Sequence, residues 1–392
     1  MRNLLTTVII FWLCVSFFSV VAEKVDDHNK YVQHVEQGFA FMFQGHNQKA
    51  ISEFEAALVL EPDHAEVLHY LGMAQAQEQF WNRAVESYQR SLALMPDNIE
   101  ALYSLGVVYF KLDKWGDAVP VLQRVVELSP QHARGYEVLG KSLVKLRQYA
   151  EAVPILTKAL ELKPQAAGTY NELGTARLNL KEYTAAIENF KQALTYGPAR
   201  YAEPHYGLGM AYLRLGDREK SRAEMQIYQQ LQKEFAEYER LTRLTRAEPN
   251  NLEAWTGLAT ALMNQKNYGQ AVQAFQRCIE LAPNDATFHH GLSRAFMNLN
   301  YPKHAAQAAR RAIQLRPNEA ILYNTLGSTY AMQGDQKNAL VAFQKAVELD
   351  TDQPYYHLNL SKLYQSLGNQ KLAQEHYRAY EHFLSVQKSK QK

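Results

Sequence analysis

Prolines fall at 62, 96, 130, 164 and 198, each 34 residues after the last, and a second set at 249, 283 and 317 keeps the same step. A fixed period of this size marks stacked supersecondary units, each of which buries its apolar face only against its neighbours. That constraint says more than size does. A chain of 392 residues is long for one compact core but ordinary for an open array.

Placing each proline at position 32 of a 34-residue frame aligns the rest of the chain. Position 8 is small in all ten copies: Gly38, Gly72, Gly106, Gly140, Gly174, Gly209, Ala259, Ser293, Gly327 and Ser361. Position 7 is leucine from Leu71 to Leu360, with Gln37 the exception in the first copy. Position 20 is alanine or serine, from Ala50 to Ala373, and position 24 is mostly large, as in Phe54, Tyr88, Leu122, Leu156, Phe190 and Phe343. Positions 4, 7, 8 and 11 share one face of a first helix, and positions 20, 24 and 27 share one face of a second. Small residues at 8 and 20 let two backbones approach, and the large residue at 24 fills the space between them. Glycine inside a helix costs about 1 kcal/mol against alanine, so its recurrence there implies a packing reason. The proline at 32 cannot continue a helix and marks the entry to the next one.

On these residues the chain resembles the tetratricopeptide repeat family from residue 31 to about residue 387. The resemblance implies an all-α, right-handed superhelical solenoid of about ten helical hairpins. It also implies a groove lined by first helices, which holds a partner's peptide or helix.

Pro198 and Pro249 are separated by one repeat plus 17 residues. Across this gap Tyr228, Leu231, Phe235, Tyr238 and Leu241 recur at threes and fours, a helical stripe with no Gly or Pro to stop it. The expected organisation is six hairpins over 29–232, a helical insert at 233–248, four hairpins over 249–387 and a basic tail at 388–392. The stripe over 225–244 has two readings, a spacer packed on its neighbouring repeat or a homodimer surface.

Residues 1–22 read as an Arg2-led apolar run followed at once by Glu23, Lys24, Asp26 and Asp27, the order of a secretory signal peptide. The uncharged run from Leu4 to Ala22 is also long enough to span a bilayer if it is not cut. Either way the chain is expected to be exported, periplasmic or secreted, with an inner-membrane anchor as the uncut form. Membrane contact is expected only through residues 4–22. Beyond Cys14 in that segment, Cys278 stands alone, so no disulfide inside the mature chain is available. Lys and Arg total 42 against 40 Asp and Glu, a balance that gives no basic stripe for nucleic acid.

No catalytic pattern stands out. Walker A, Gly-x-Ser-x-Gly, His-Glu-x-x-His and paired-cysteine motifs are absent, and Gly207-Leu208-Gly209 lacks the preceding strand of a dinucleotide site. His34, His205, His289 and His357 all occupy position 4, where other copies carry Leu68, Tyr136, Trp255 or Tyr323. A slot open to any large ring is a packing slot, and whole repeats separate these histidines, so neither a metal nor a cofactor is expected. Asn359-Leu360-Ser361 matches a glycosylation sequon inside a helix, where a chance match is the simpler reading.

What remains is the groove. The family's geometry implies that positions 2, 5, 9 and 13 of each first helix face it. The candidates there are Tyr103, Lys111, Arg134, Glu137, Lys141, Lys145, Asn171, Asn179, Arg214 and Arg294. Lys111, Arg134, Lys141 and Lys145 form a modest basic stretch suited to an acidic segment, against the plainer reading of a solvated face. The asparagine ladder of O-GlcNAc transferase arrays would use position 6, where only Asn359 matches, and the lysine–asparagine clamp of chaperone-binding repeats is not reproduced. The expected function is a non-catalytic protein-interaction scaffold in an exported compartment, with a protein or peptide partner. Two alternatives stand beside it: a substrate-recruiting arm of a glycosyltransferase or of an exopolysaccharide or protein export machine, and a membrane-tethered assembly factor.

Overall fold

The computed structural model describes residues 27–198 and 200–389. The leader, with both its readings, lies outside the described residues, as does the end of the basic tail. Among the described residues there are twenty helices and no strands. In chain order they pair as hairpins. The first five are α1 (27–43) with α2 (Asn47–Leu60), α3 (Ala65–Gln77) with α4 (Trp81–Leu94), α5 (Ile99–Lys111) with α6 (Trp115–Leu128), α7 (Ala133–Lys145) with α8 (Tyr149–Leu162), and α9 (Ala167–Asn179) with α10 (Tyr183–Tyr196). The last five are α11 (Ala202–Arg214) with α12 (Arg218–Ala247), α13 (Leu252–Asn264) with α14 (Tyr268–Leu281), α15 (Ala286–Asn298) with α16 (Pro302–Leu315), α17 (Ala320–Met332) with α18 (Gln336–Leu349), and α19 (Pro354–Ser366) with α20 (Gln370–Ser389). The chain forms two compact units, Met1–Gln229 and Gln230–Lys392.

The spacing of small and large residues explains how each hairpin closes. A β-carbon added at Gly72 would lie 2.7 Å from the Tyr88 ring, one at Gly106 2.6 Å from Leu122, and one at Gly174 2.7 Å from Phe190. Position 8 is thus a socket for the position-24 side chain of the same repeat, and Leu122, Leu156 and Phe190 are buried in it. Repeats without that glycine solve the problem differently. Ser293 Oγ donates to the Ala305 carbonyl and Ser361 Oγ to the Ala373 carbonyl, both at 2.8 Å, tying position 8 to position 20. Their position-24 residues are the small Ala309 and the half-exposed Tyr377. In the repeat that carries Ala259, the Phe275 ring instead covers Gly291 at position 6 of the next repeat.

Every first helix ends the same way. Position 15 is left-handed in all ten repeats, glycine in four (Gly45, Gly216, Gly334, Gly368) and non-glycine in six. Those six are Gln79, Asp113, Arg147, Lys181, Lys266 and Asn300, with φ between 58° and 66°. The turn satisfies the helix's orphan carbonyls: the Phe80 N–H donates to Gln75 at 2.8 Å and the Lys114 N–H to Tyr109 at 2.9 Å.

Within each unit the first helices of neighbouring repeats touch: α3 with α5, α5 with α7, α7 with α9 and α9 with α11, then α15 with α17 and α17 with α19. Neighbouring second helices, such as α4 and α6 or α14 and α16, make no comparable contact. Each stack therefore curves with its first helices on the inner side.

The helix α12 is 30 residues long. Its early residues close the sixth hairpin, where Ser221 Oγ donates to the Gly209 carbonyl at 2.8 Å. Toward its end Leu241 is buried with Leu258, Ala259 and Leu262, and a β-carbon on Gly257 would come 2.9 Å from it. Leu241 precedes Gly257 by the same 16 residues that separate Phe275 from Gly291. The 17 extra residues therefore supply a second helix without a first. Between these ends Ile227 and Phe235 are exposed.

Candidate partner-binding faces

On the inner side of the first unit, positions 2, 5 and 9 are densely functionalised. Tyr103 stacks at a tilt on His132, centroids 4.9 Å apart, and its hydroxyl is held above the usual tyrosine range by burial, with Arg134 opposing and Glu137 reinforcing. Lys141 Nζ bonds Glu137 Oε1 at 2.6 Å along α7, both side chains about a quarter exposed. Across from them on α9 stands Glu172. Burial pushes its carboxyl above the ordinary carboxylate range, against the pull of Lys145 and Lys141. Tyr201, at the entry to α11, is pushed up to about 12 by burial and then by Glu172 and Glu203.

Position 13 closes this face along one edge. In the first unit it holds Lys111, Lys145, Asn179 and Arg214 on the successive helices α5, α7, α9 and α11, all exposed. Among the described residues Lys111, Lys145 and Arg214 form no ion pair, Lys145 only pulling on the Glu172 carboxyl from beyond that distance, whereas Asn179 donates to its own helix at the Thr175 carbonyl, 2.8 Å away. In the second unit the same position holds Asn264, Asn298, Met332 and Ser366, with no charge among them.

The inner side of the second unit carries Glu253, Arg294 and Lys362 at positions 2 and 9 and is cross-linked from repeat to repeat. His290 Nε2 meets Thr325 Oγ1 at 2.9 Å, and because that hydroxyl already donates to the Ile321 carbonyl, the histidine is the donor. One repeat on, Asn359 Nδ2 donates to Asn324 Oδ1 at 2.8 Å. Position 5 of one repeat thus bonds position 6 of the next. His290 is pushed down to about 4 by burial and then by Arg294, against Glu319, so it is uncharged at neutral pH.

Of the residues singled out from sequence, nine lie on the first unit and Arg294 alone on the second. The structure brings Lys145 and Lys141, which is bonded to Glu137, together beside Glu172. Arg134 stands exposed beside Tyr103, and Asn171 has a buried, unpartnered Oδ1. Glu172 and Tyr201 were not among the candidates. Position 6 is visible in the frame, but only the fold shows that Glu172 faces the preceding repeat's lysines. The position-4 histidines do more than pack. His34 meets Glu53 at 2.7 Å, His205 meets Glu224 at 2.6 Å and His357 meets His376 at 3.0 Å, each across to position 23. Trp255, His289 and His357 also donate to the carbonyl six residues before them, at 2.9, 3.0 and 2.8 Å.

Among the described residues no cluster of three or more His, Cys, Asp or Glu side chains could hold a metal ion, and no helix is long and apolar enough to cross a membrane.

Hairpins that touch only their neighbours, and that present polar rows on their first helices, define a helical-repeat interaction protein. The chain belongs to the tetratricopeptide repeat family. Models described as "Tetratricopeptide repeat" match residues 252–285, 100–132, 137–199 and 171–236, and one described as "TPR repeat" matches 76–113 and 327–368. No curated protein matches the chain. Among solved structures, one titled "Crystal structure of MamA protein" is 23% identical over 45% of this chain and 95% of its own, with a TM-score of 0.41. Another, MamA from Desulfovibrio magneticus RS-1, is 25% identical over 43% of this chain and 94% of its own, with a TM-score of 0.41. Members of this repeat family are typically non-catalytic scaffolds that bind protein partners.

Proposed function

We propose that the chain is an exported scaffold whose first unit takes an acidic segment of a partner protein along the inner face of α5 to α11. The observation that carries this reading is the exposed row Lys111, Lys145 and Arg214 at one position of α5, α7 and α11, none of them in an ion pair among the described residues. A cation at a helix C-terminus also gains from the macrodipole, but that gain is equally open to the second unit, whose row is neutral. Lys141 takes a lesser part, because Glu137 already occupies it. Fluorescence anisotropy with a labelled Asp/Glu-rich peptide tests the idea. Lys111→Glu/Lys145→Glu is expected to weaken binding at least about tenfold, and wild-type affinity is expected to fall as salt rises. Equal affinity for both proteins would discard the acidic-segment reading.

Export rests on the leader sequence, and its cleavage separates a free scaffold from a membrane-tethered assembly factor. Mass spectrometry of the mature N-terminus decides between them: a start at Glu23 gives the free form.

A further inference from the structure

On the inner side one register carries the links between repeats. In the second unit the side chain at position 5 bonds the one at position 6 of the next repeat, His290 to Thr325 and Asn324 to Asn359. In the first unit the same two places hold Glu137 on α7 and Glu172 on α9. An ionised carboxylate only accepts, so two of them have no bond to share. Glu137 turns along its own helix and takes Lys141 Nζ at 2.6 Å. Glu172 is left half-buried, with no hydrogen bond and no ion pair among the described residues.

The cations beside it are only partly its own. Lys141 Nζ lies 3.9 Å from the place a β-carbon on Gly168 would take, one turn before Glu172 on α9, so the amine reaches from α7 onto this face. Its bond to Glu137 divides its charge between two carboxyls. Lys145, the stronger pull on Glu172, acts from beyond ion-pair distance. From the following repeat, Tyr201 at the entry to α11 is held neutral by burial and then by Glu172 and Glu203. The charge of Glu172 is thus opposed by burial and supported by two amines that an incoming anion would also use.

We propose that Glu172 couples the acidic-segment site to protons: a segment seated on Lys145 and Lys141 displaces the charge of Glu172, which takes up a proton as the segment binds. The inference rests on the acidic-segment reading and deepens it. Two effects act with the same sign. The segment's carboxylates draw the lysines away from Glu172, and they add negative charge beside it. Both make Glu172 hold its proton more tightly in the complex than in the chain alone. Binding therefore takes up a proton between those two conditions, and affinity rises as pH falls through that window and is flat on either side. The segment's own carboxylates stay ionised above about pH 5 and the lysines stay charged below about pH 9, so neither supplies the slope.

The labelled Asp/Glu-rich peptide tests this on the full chain. Anisotropy titrations run from about pH 8.5 to about pH 5.5 at constant salt, and the heat of binding is measured in two buffers of different ionisation enthalpy. For the wild type, affinity is expected to rise on acidification by at most about tenfold per pH unit, the limit for one proton, with a buffer-dependent heat that reports proton uptake. Glu172→Gln keeps the shape and removes the charge. It is expected to bind more tightly than the wild type at the alkaline end and to lose both the slope and the buffer dependence, and thermal melts check its fold. A slope that survives in the folded variant belongs to another group, such as His132 at the start of α7, and overturns the assignment. Wild-type binding without proton uptake overturns the coupling, whatever the variant does, and leaves the acidic-segment reading standing. No binding at any pH overturns that reading, and this inference with it.

Discussion

The two units build the same hairpin by different means. All six repeats of the first unit place glycine at position 8 and seat the position-24 side chain in the space it leaves. In the second unit three of four repeats carry Ala259, Ser293 or Ser361 there, and the helices are held by serine clasps or by a ring moved onto the next repeat. The period therefore selects a distance between helix axes rather than a residue. Any pair of side chains that reaches that distance serves. The inner faces differ in the same spirit: position 13 carries Lys111, Lys145 and Arg214 in the first unit and no charge in the second, whose side chains bond from repeat to repeat instead.

The strongest break of this comparison is Gly106→Leu, which forces a branched side chain into the space that Leu122 fills. It is expected to cost about 1–3 kcal/mol by overpacking, seen as a lower thermal midpoint, and a melt matching the wild type would refute the socket. Ser293→Ala should be milder, because the pocket already tolerates small residues and only one hydrogen bond is lost. A loss of about 1 kcal/mol in urea unfolding is expected, and none at all would reduce the clasp to a coincidence of geometry.

Glu172→Gln sharpens the contrast between the inner faces. The folded chain holds the Glu172 proton more tightly than the unfolded chain does. Its contribution is therefore favourable below the ordinary carboxylate range and is lost as pH rises through the raised folded value. The amide should stabilise by about half a kcal/mol at neutral pH, and the gain should fade as the pH falls below the carboxylate range. A gain that persists in acid would assign the effect to packing instead. A gain of similar size is expected from Lys181→Gly at a left-handed turn, about half a kcal/mol, as the relief of backbone strain is partly offset by the entropy of glycine. A destabilised variant would show that the lysine side chain outweighs the strain.

The hairpins were legible because packing repeats with the sequence: Gly72, Gly106 and Gly140 recur in phase with Tyr88, Leu122 and Leu156. The left-handed turns were not, since six of the ten carry side chains such as Gln79 or Arg147 that give no glycine signal. Much of the candidate groove could be read from the family's spacing, including Lys111, Lys145 and Arg214. Glu172 escaped because its character comes from a neighbouring repeat, the lysines of α7. A partner supplied across a repeat boundary is invisible to a frame that treats copies one at a time.

Leu241 offers a last consequence. Since the end of α12 already presents a covering helix to α13, the residues from Gln230 onward carry their own lid. A shorter product starting there would hide its first apolar stripe without borrowing anything from the preceding six copies, and could stand as an independent module.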